Sequence, residues 1–290
     1  MRIVIPFMLA CAPICLAATG VPDAPIAQAQ ENAAMQRLSY GDDDLQGLLY
    51  WPGATSSSPL FVFVHGGGWS RGDMRSTVDS SMLRHLQAQG FAVASVNYRL
   101  VPDATVEQQA GDVTASLAFL AQRSAQLGFD ADRIALAGHS AGAHLVSLVG
   151  TDPQYGAAAG FEAENLRGVL ALDGAGYDVP RQLEEAGPML RQTYRNAFGT
   201  ERGRQQALSP ITHAAAPNAP EFLILHVDRR ASREQSIALG EALTDGGTRA
   251  EIEAIPGRGM RGHREINRRL GEADYPATPI VDAWLERVLR

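Results

Sequence analysis

No lysine occurs anywhere in the 290 residues; all 25 basic side chains are arginine. That absence removes mechanisms that need a lysine amine: Schiff-base catalysis, a Walker-type phosphate loop and a Ser-Lys dyad. Any serine chemistry must then take histidine as its base. Cysteine is nearly absent as well, with only Cys11 and Cys15. No H-E-x-x-H occurs, and His139 and His144 stand five apart, so they do not share a helical face as zinc ligands would; no metal site is predicted. No stretch beyond the N-terminus approaches the roughly 20 apolar residues of a membrane span. The formal net charge of -7, without a long basic run, argues against nucleic acid as a partner.

What the chain does have begins with Met1-Arg2 and the apolar stretch Ile3 to Ala10, followed by Ala-rich sequence. One positive charge, a short apolar core and small residues read as a secretory leader. Cleavage near Ala17 or Ala18, or at Ala27-Gln28-Ala29, would remove both cysteines. The alternative is a lipoprotein box at Met8-Leu9-Ala10-Cys11, anchored through Cys11. Residues 1–30 are therefore read as leader and linker, and the product as exported, periplasmic or secreted.

From residue 31 to 290 the pattern is that of one α/β domain. Leu38 to Trp51, broken by Gly41-Asp42-Asp43-Asp44, predicts a hairpin. Apolar runs at 60–64, 91–96, 133–137, 168–172 and 221–226 predict strands, the continuous run at 60–64 one covered on both faces, and a further strand is predicted at 250–255. Helical stretches fall between them at 80–89, 106–127, 143–149 and 232–243, with a closing helix over 279–290. Such alternation predicts a mostly parallel central sheet with helices on both faces. Between about 174 and 220 the alternation stops, and this stretch is read as a small cap insertion.

Three stretches carry chemistry. Gly138-His139-Ser140-Ala141-Gly142 lies between a predicted strand and helix, the context of a G-x-S-x-G nucleophile elbow. His65-Gly66-Gly67-Gly68-Trp69 follows a buried strand directly, and its bare backbone N–H groups suit an oxyanion hole. Gly67, Gly68 and Ala141 are the expected donors; His65 braces the loop, while Trp69 and His139 line the substrate pocket. Of seven histidines only His263, in a glycine-rich turn, lies beyond both the elbow and the next two strands. Imidazole is the required type because its pKa near 6.5 lets it take and return a proton. Asp228, two residues beyond the 221–226 strand and beside Arg229, Arg230 and Arg233, is the first choice of acid, with Asp173, Asp178 and Glu234 behind it.

Together, HGGGW, GHSAG, Tyr98-Arg99-Leu100-Val101-Pro102 and Ser209-Pro210 resemble the α/β-hydrolase superfamily, specifically its hormone-sensitive-lipase-like and BD-FAE-like carboxylesterases. The resemblance covers roughly Leu38 to Arg290. It implies an α/β-hydrolase fold, a triad of Ser140, Asp228 and His263, no cofactor, and hydrolysis of small-molecule carboxylic esters of short or medium acyl or aryl type. Given export, acetylated or feruloylated plant sugars are candidates. Alternatives are an arylformamidase-like amidase and a non-catalytic ligand-binding homologue. Two departures from the pattern stand out. His226-Val227-Asp228 is shorter than the usual loop before the acid, and the histidine segment runs on through Arg264-Glu265-Ile266-Asn267-Arg268-Arg269. The arginines around His263 raise a second possibility, recruitment of an acidic substrate, against which stands an ordinary solvated charged face.

Overall fold

A computed structural model describes residues 35–161 and 163–290, together with Met1. The expected leader, the linker and both cysteines lie outside the described residues. Eight strands form one sheet: β1 (Gln36–Ser39), β2 (Gly47–Trp51), β3 (Leu60–Val64), β4 (Ala92–Val96), β5 (Ile134–His139), β6 (Gly168–Leu172), β7 (Glu221–Asp228) and β8 (Arg249–Arg258). Their order is β1-β2-β4-β3-β5-β6-β7-β8. The first two pairings are antiparallel and the other five parallel, so the expected hairpin and parallel sheet both form.

Every residue of β3, β4 and all but the last of β5 is buried, which explains their unbroken apolar runs. Side chains alternate between two separate cores, as a period of two requires. Leu60, Val62, Val64, Phe222 and Ile224 enter one; Phe61, Phe63, Leu223, Leu225 and Val227 enter the other.

Eleven α-helices lie among the described residues: α1 (Ser81–Ala88), α2 (Val106–Gln122), α3 (Ser124–Leu127), α4 (Ala141–Thr151), α5 (Pro153–Ala159), α6 (Val179–Glu185), α7 (Pro188–Phe198), α8 (Arg202–Ala207), α9 (Arg230–Asp245), α10 (Gly259–Arg268) and α11 (Ala277–Val288). Through Met82, Ile266 and Trp284, helices α1, α10 and α11 cover one face; through Val113, Leu145 and Leu239, α2, α4 and α9 cover the other. Helix starts carry their own signals. Ser80 accepts a hydrogen bond from the Leu83 N–H, and Thr105 with Gln108 forms a reciprocal capping box. The helix expected over 106–127 breaks at Arg123 into α2 and α3. Between β6 and β7 the 174–220 stretch holds α6, α7, α8 and a 3-10 turn at Pro210–His213, without a strand.

Two differences from the sequence reading matter for the site. The seventh strand does not stop at His226 but runs to Asp228, which pairs with Arg258 across a register irregularity. The segment holding His263 is the helix α10, not a glycine-rich turn; Gly257 and Gly259, at φ 150 and 54, make the bend that starts it.

Candidate active site

Ser140 stands between β5 and α4 with φ 57, a left-handed conformation that side chains rarely adopt. The elbow closes only because its flanking glycines have no Cβ. A Cβ on Gly142 would sit 2.2 Å from the Val64 carbonyl oxygen, and one on Gly138 would sit 2.4 Å from that of Gly142. Trp69 and Asp173 also have positive φ, at 61 and 43. Three of the four non-glycine residues with positive φ among the described residues thus stand where these chain segments converge, Asp79 being the fourth.

His263 faces Ser140 across 3.1 Å, from Nε2 to Oγ. Its Nδ1–H donates to Oδ2 of Asp173 at 2.6 Å. Asp173, not Asp228, is thus the carboxylate that meets the imidazole. Period-two alternation on β7 is the reason for the correction. Val227 turns into the core against Gly262 of α10, and Asp228 turns outward. There it is half exposed, with Arg233 and Arg258 each at 3.3 Å. Asp178 and Glu234 are also engaged elsewhere: Asp178 accepts from the Arg181 N–H at the start of α6, and Glu234 pairs with Arg181 and Arg230.

Asp173 follows β6 and is fully buried. Its Oδ1 accepts from the Ser232 hydroxyl at 2.8 Å and the Val227 N–H at 3.2 Å, while Arg229 Nε lies 2.9 Å from Oδ2. Burial alone would push this carboxyl up; the His263 hydrogen bond and the Arg229 charge outweigh it and hold the group below its ordinary value. Arg229 and Ser232 were not singled out from the sequence as partners of this acid. Their signal is positional, since both lie at the start of α9, directly beyond β7 and hence beside the end of β6.

His139, expected to line the pocket, does so, yet its nitrogen is spent on the fold. Its Nε2–H donates to the His263 carbonyl at 2.8 Å, and the two rings lie 4.5 Å apart. It therefore ties α10 to the end of β5. Trp69 is buried, and its indole N–H donates to His144 Nδ1 at 3.2 Å. His144 in turn donates from Nε2 to the Leu208 carbonyl, joining the glycine loop, α4 and the insertion. The Trp69 carbonyl accepts from Gln109 Nε2 and the Val101 N–H, which fixes the loop from behind. His65 braces the same loop as expected: its ring stacks on Tyr98, whose hydroxyl donates to the His65 carbonyl. Among the described residues, the N–H groups of Gly67, Gly68 and Ala141 donate to no other part of the chain. All three border the same cleft as Ser140.

That cleft has a volume of about 450 Å³. Tyr194 and Leu190 of α7, with Ala175, make one apolar wall, and α10 makes another with Met260, Arg264 and Asn267. Among the described residues no group of three or more His, Cys, Asp or Glu could hold a metal ion, and no helix is long and apolar enough to cross a membrane.

Burial pushes His139 down to about 3, helped by the neighbouring His263, and His144 down to about 4. Both rings are neutral when folded, whereas in the unfolded chain they titrate near 6.5. Folded values below unfolded ones mean that the contribution to stability is complete above about pH 6.5 and is lost as pH falls toward 4. Each ring accounts for about 2–3 kcal/mol over that interval. Calorimetric scans are expected to show the unfolding temperature declining steadily from pH 6.5 to 4.5, and less steeply in His144→Leu. A transition unmoved over that range would contradict this assignment.

The sheet order, the elbow at the end of β5 and a histidine beyond the last strand define the α/β-hydrolase fold. Solved structures agree. Esterase B from Lactobacillus rhamnosis superposes with a TM-score of 0.69 at 23% identity, covering 88% of this chain and 85% of that one. A truncated carbohydrate esterase from gut microbiota superposes at 0.71 and 17%, covering 89% and 98%. The chain belongs to the BD-FAE family, whose model matches residues 48–243. Among named relatives, esterase LipC of Mycobacterium tuberculosis is 31% identical over 206 residues, 67% of this chain and 50% of the relative. Kynurenine formamidase of Drosophila melanogaster is 33% identical over 121 residues, 41% and 39% respectively. The chain spans about half the length of the curated relatives it matches.

Proposed function

We propose that the protein is a serine hydrolase of carboxylic esters working through an acyl-enzyme. The single observation that carries this is the unbroken line from Ser140 Oγ to His263 Nε2, and from His263 Nδ1 to the buried Asp173 carboxylate. His263 takes the Ser140 proton as Oγ attacks the ester carbonyl. Asp173 holds the ring in the tautomer that can accept it and stabilises the imidazolium that results. Negative charge on the carbonyl oxygen is met by the unengaged N–H groups of Gly67, Gly68 and Ala141. The alcohol departs with the proton from His263, and water repeats the cycle to free the acid.

The acyl portion fits the apolar side of the cleft, against Tyr194, Leu190 and Ala175. The likeness to a kynurenine formamidase favours a second reading, an amidase acting on N-formyl arylamines with the same residues. Parallel assays of purified protein on p-nitrophenyl acetate and N-formylkynurenine separate them. The esterase reading expects kcat/KM at least tenfold higher on the ester, and the reverse order would replace it. Turnover of neither would favour a non-catalytic homologue.

A further inference from the structure

Beyond the cleft at Ser140 lies a second hollow of about 290 Å³, and Ser76 and Asn267 border both. The two form one trough between the 3-10 turn at Met74–Thr77 and helix α10. Its position relative to His263 decides what it can hold. The departing alcohol takes its proton from His263 Nε2, so this part of the substrate must lie against the wall that carries His263. That wall is α10. Arg264, Asn267 and Arg268 share one stripe of this helix at the i, i+3 and i+4 spacing. They lead from the Ser140 cleft into the second hollow, where Arg268 stands.

The charge along this path differs from that of the whole chain, which is net negative. Three arginines of the segment are already matched: Arg258 with Asp228, Arg261 with Glu265, and Arg269 with Glu272 and Asp274. Arg264, Arg268 and Arg71, which borders the Ser140 cleft, form no ion pair among the described residues. Facing them are Asp79, Asp73 and Glu272. Glu272 is held by Arg269 at 2.6 Å, and Asp73 has Arg75 at 3.9 Å. Three unmatched guanidinium groups against one unmatched carboxylate, that of Asp79, leave the trough with an excess of positive charge.

We propose that the second hollow is a leaving-group subsite for an acidic substituent, so that the enzyme prefers esters whose alcohol portion carries a carboxylate or phosphate, recognised by Arg264 and Arg268. This rests on the esterase reading above. Guanidinium is suited to the task because its planar fork matches both anions with two parallel hydrogen bonds.

The test compares kcat/KM for 4-acetoxybenzoate and 4-acetoxyphenyl phosphate with that for methyl 4-acetoxybenzoate, in wild type, in Arg264→Gln/Arg268→Gln and in Arg261→Gln. Taking the ratio of acidic to neutral ester in each protein, then comparing proteins, cancels the intrinsic reactivity of each ester. In the double variant the ratio is expected to fall about tenfold on at least one acidic ester, and the arm that falls further names the anion. Arg261→Gln removes the same type of charge from the same helix outside the trough, and its ratio is expected to stay within twofold of wild type. A double-variant ratio within twofold of wild type overturns the subsite. So does an equal fall in Arg261→Gln, which would mean a diffuse field instead. Failure of the esterase reading looks different: no ester of the series is hydrolysed by wild type, and the subsite falls with it.

Discussion

Asp173→Asn is expected to lower kcat/KM by about 10⁴-fold, the usual cost of turning a triad acid into its amide, whereas Asp228→Asn stays within about twofold of wild type. The amide keeps the size of the side chain and reverses its hydrogen-bonding sense. Its NH₂ can face His263 Nδ1, which drives the ring proton to Nε2 and leaves no acceptor for the Ser140 hydroxyl. Arg229 and Ser232 hold the other edges of Asp173, and among the described residues the ring pairs with no second carboxylate. At Asp228 the same change loosens only two rim contacts to Arg233 and Arg258, and exposed pairs of this kind contribute about 0–1 kcal/mol. Steady-state kinetics on one ester, with circular dichroism to show that both variants fold, decide the matter. The opposite ranking would return the acid to the end of β7.

Ser140→Ala should remove about 10⁵–10⁶-fold from kcat, since one oxygen is both nucleophile and acceptor of the acyl group. The backbone N–H groups of Gly67, Gly68 and Ala141 remain, so a residue of catalysis above the uncatalysed rate persists. Among the described residues the Ser140 side chain hydrogen-bonds only with His263, and the unfolding temperature should scarcely move. A variant retaining more than about 1% of wild-type kcat, measured after removal of contaminating esterases, would mean that another residue forms the acyl bond.

Most of the architecture was readable because burial on both faces leaves a continuous mark. The runs at 60–64, 134–137 and 168–172 are apolar at every position, and no surface helix would be. The elbow was readable for a steric reason, because Gly138 and Gly142 have carbonyl oxygens where a Cβ would stand. The acid was not. Asp173 and Asp228 each come after an apolar run, and only the true end of β7 decides which way Asp228 turns. One extra pair of residues in that strand places Val227 against α10 and sends Asp228 to solvent. The arginines beside Asp228 pointed to a charged partner, and one of them, Arg229, does serve the acid, but across the sheet at Asp173. Likewise the glycines at 257, 259 and 262 suggested a loop. Gly257 and Gly259 make the bend that starts α10, whereas Gly262 lets the first turn of the helix close on that bend, since a Cβ there would stand 2.8 Å from the Gly257 carbonyl carbon.

Covalent labelling with a fluorophosphonate, read by intact mass and peptide mapping, tests the central arrangement most directly. One adduct per chain on the peptide containing Ser140 is expected, forming far more slowly in Asp173→Asn and at the wild-type rate in Asp228→Asn. No adduct, an adduct on another residue, or a rate that depends on Asp228 and not on Asp173 would contradict the account.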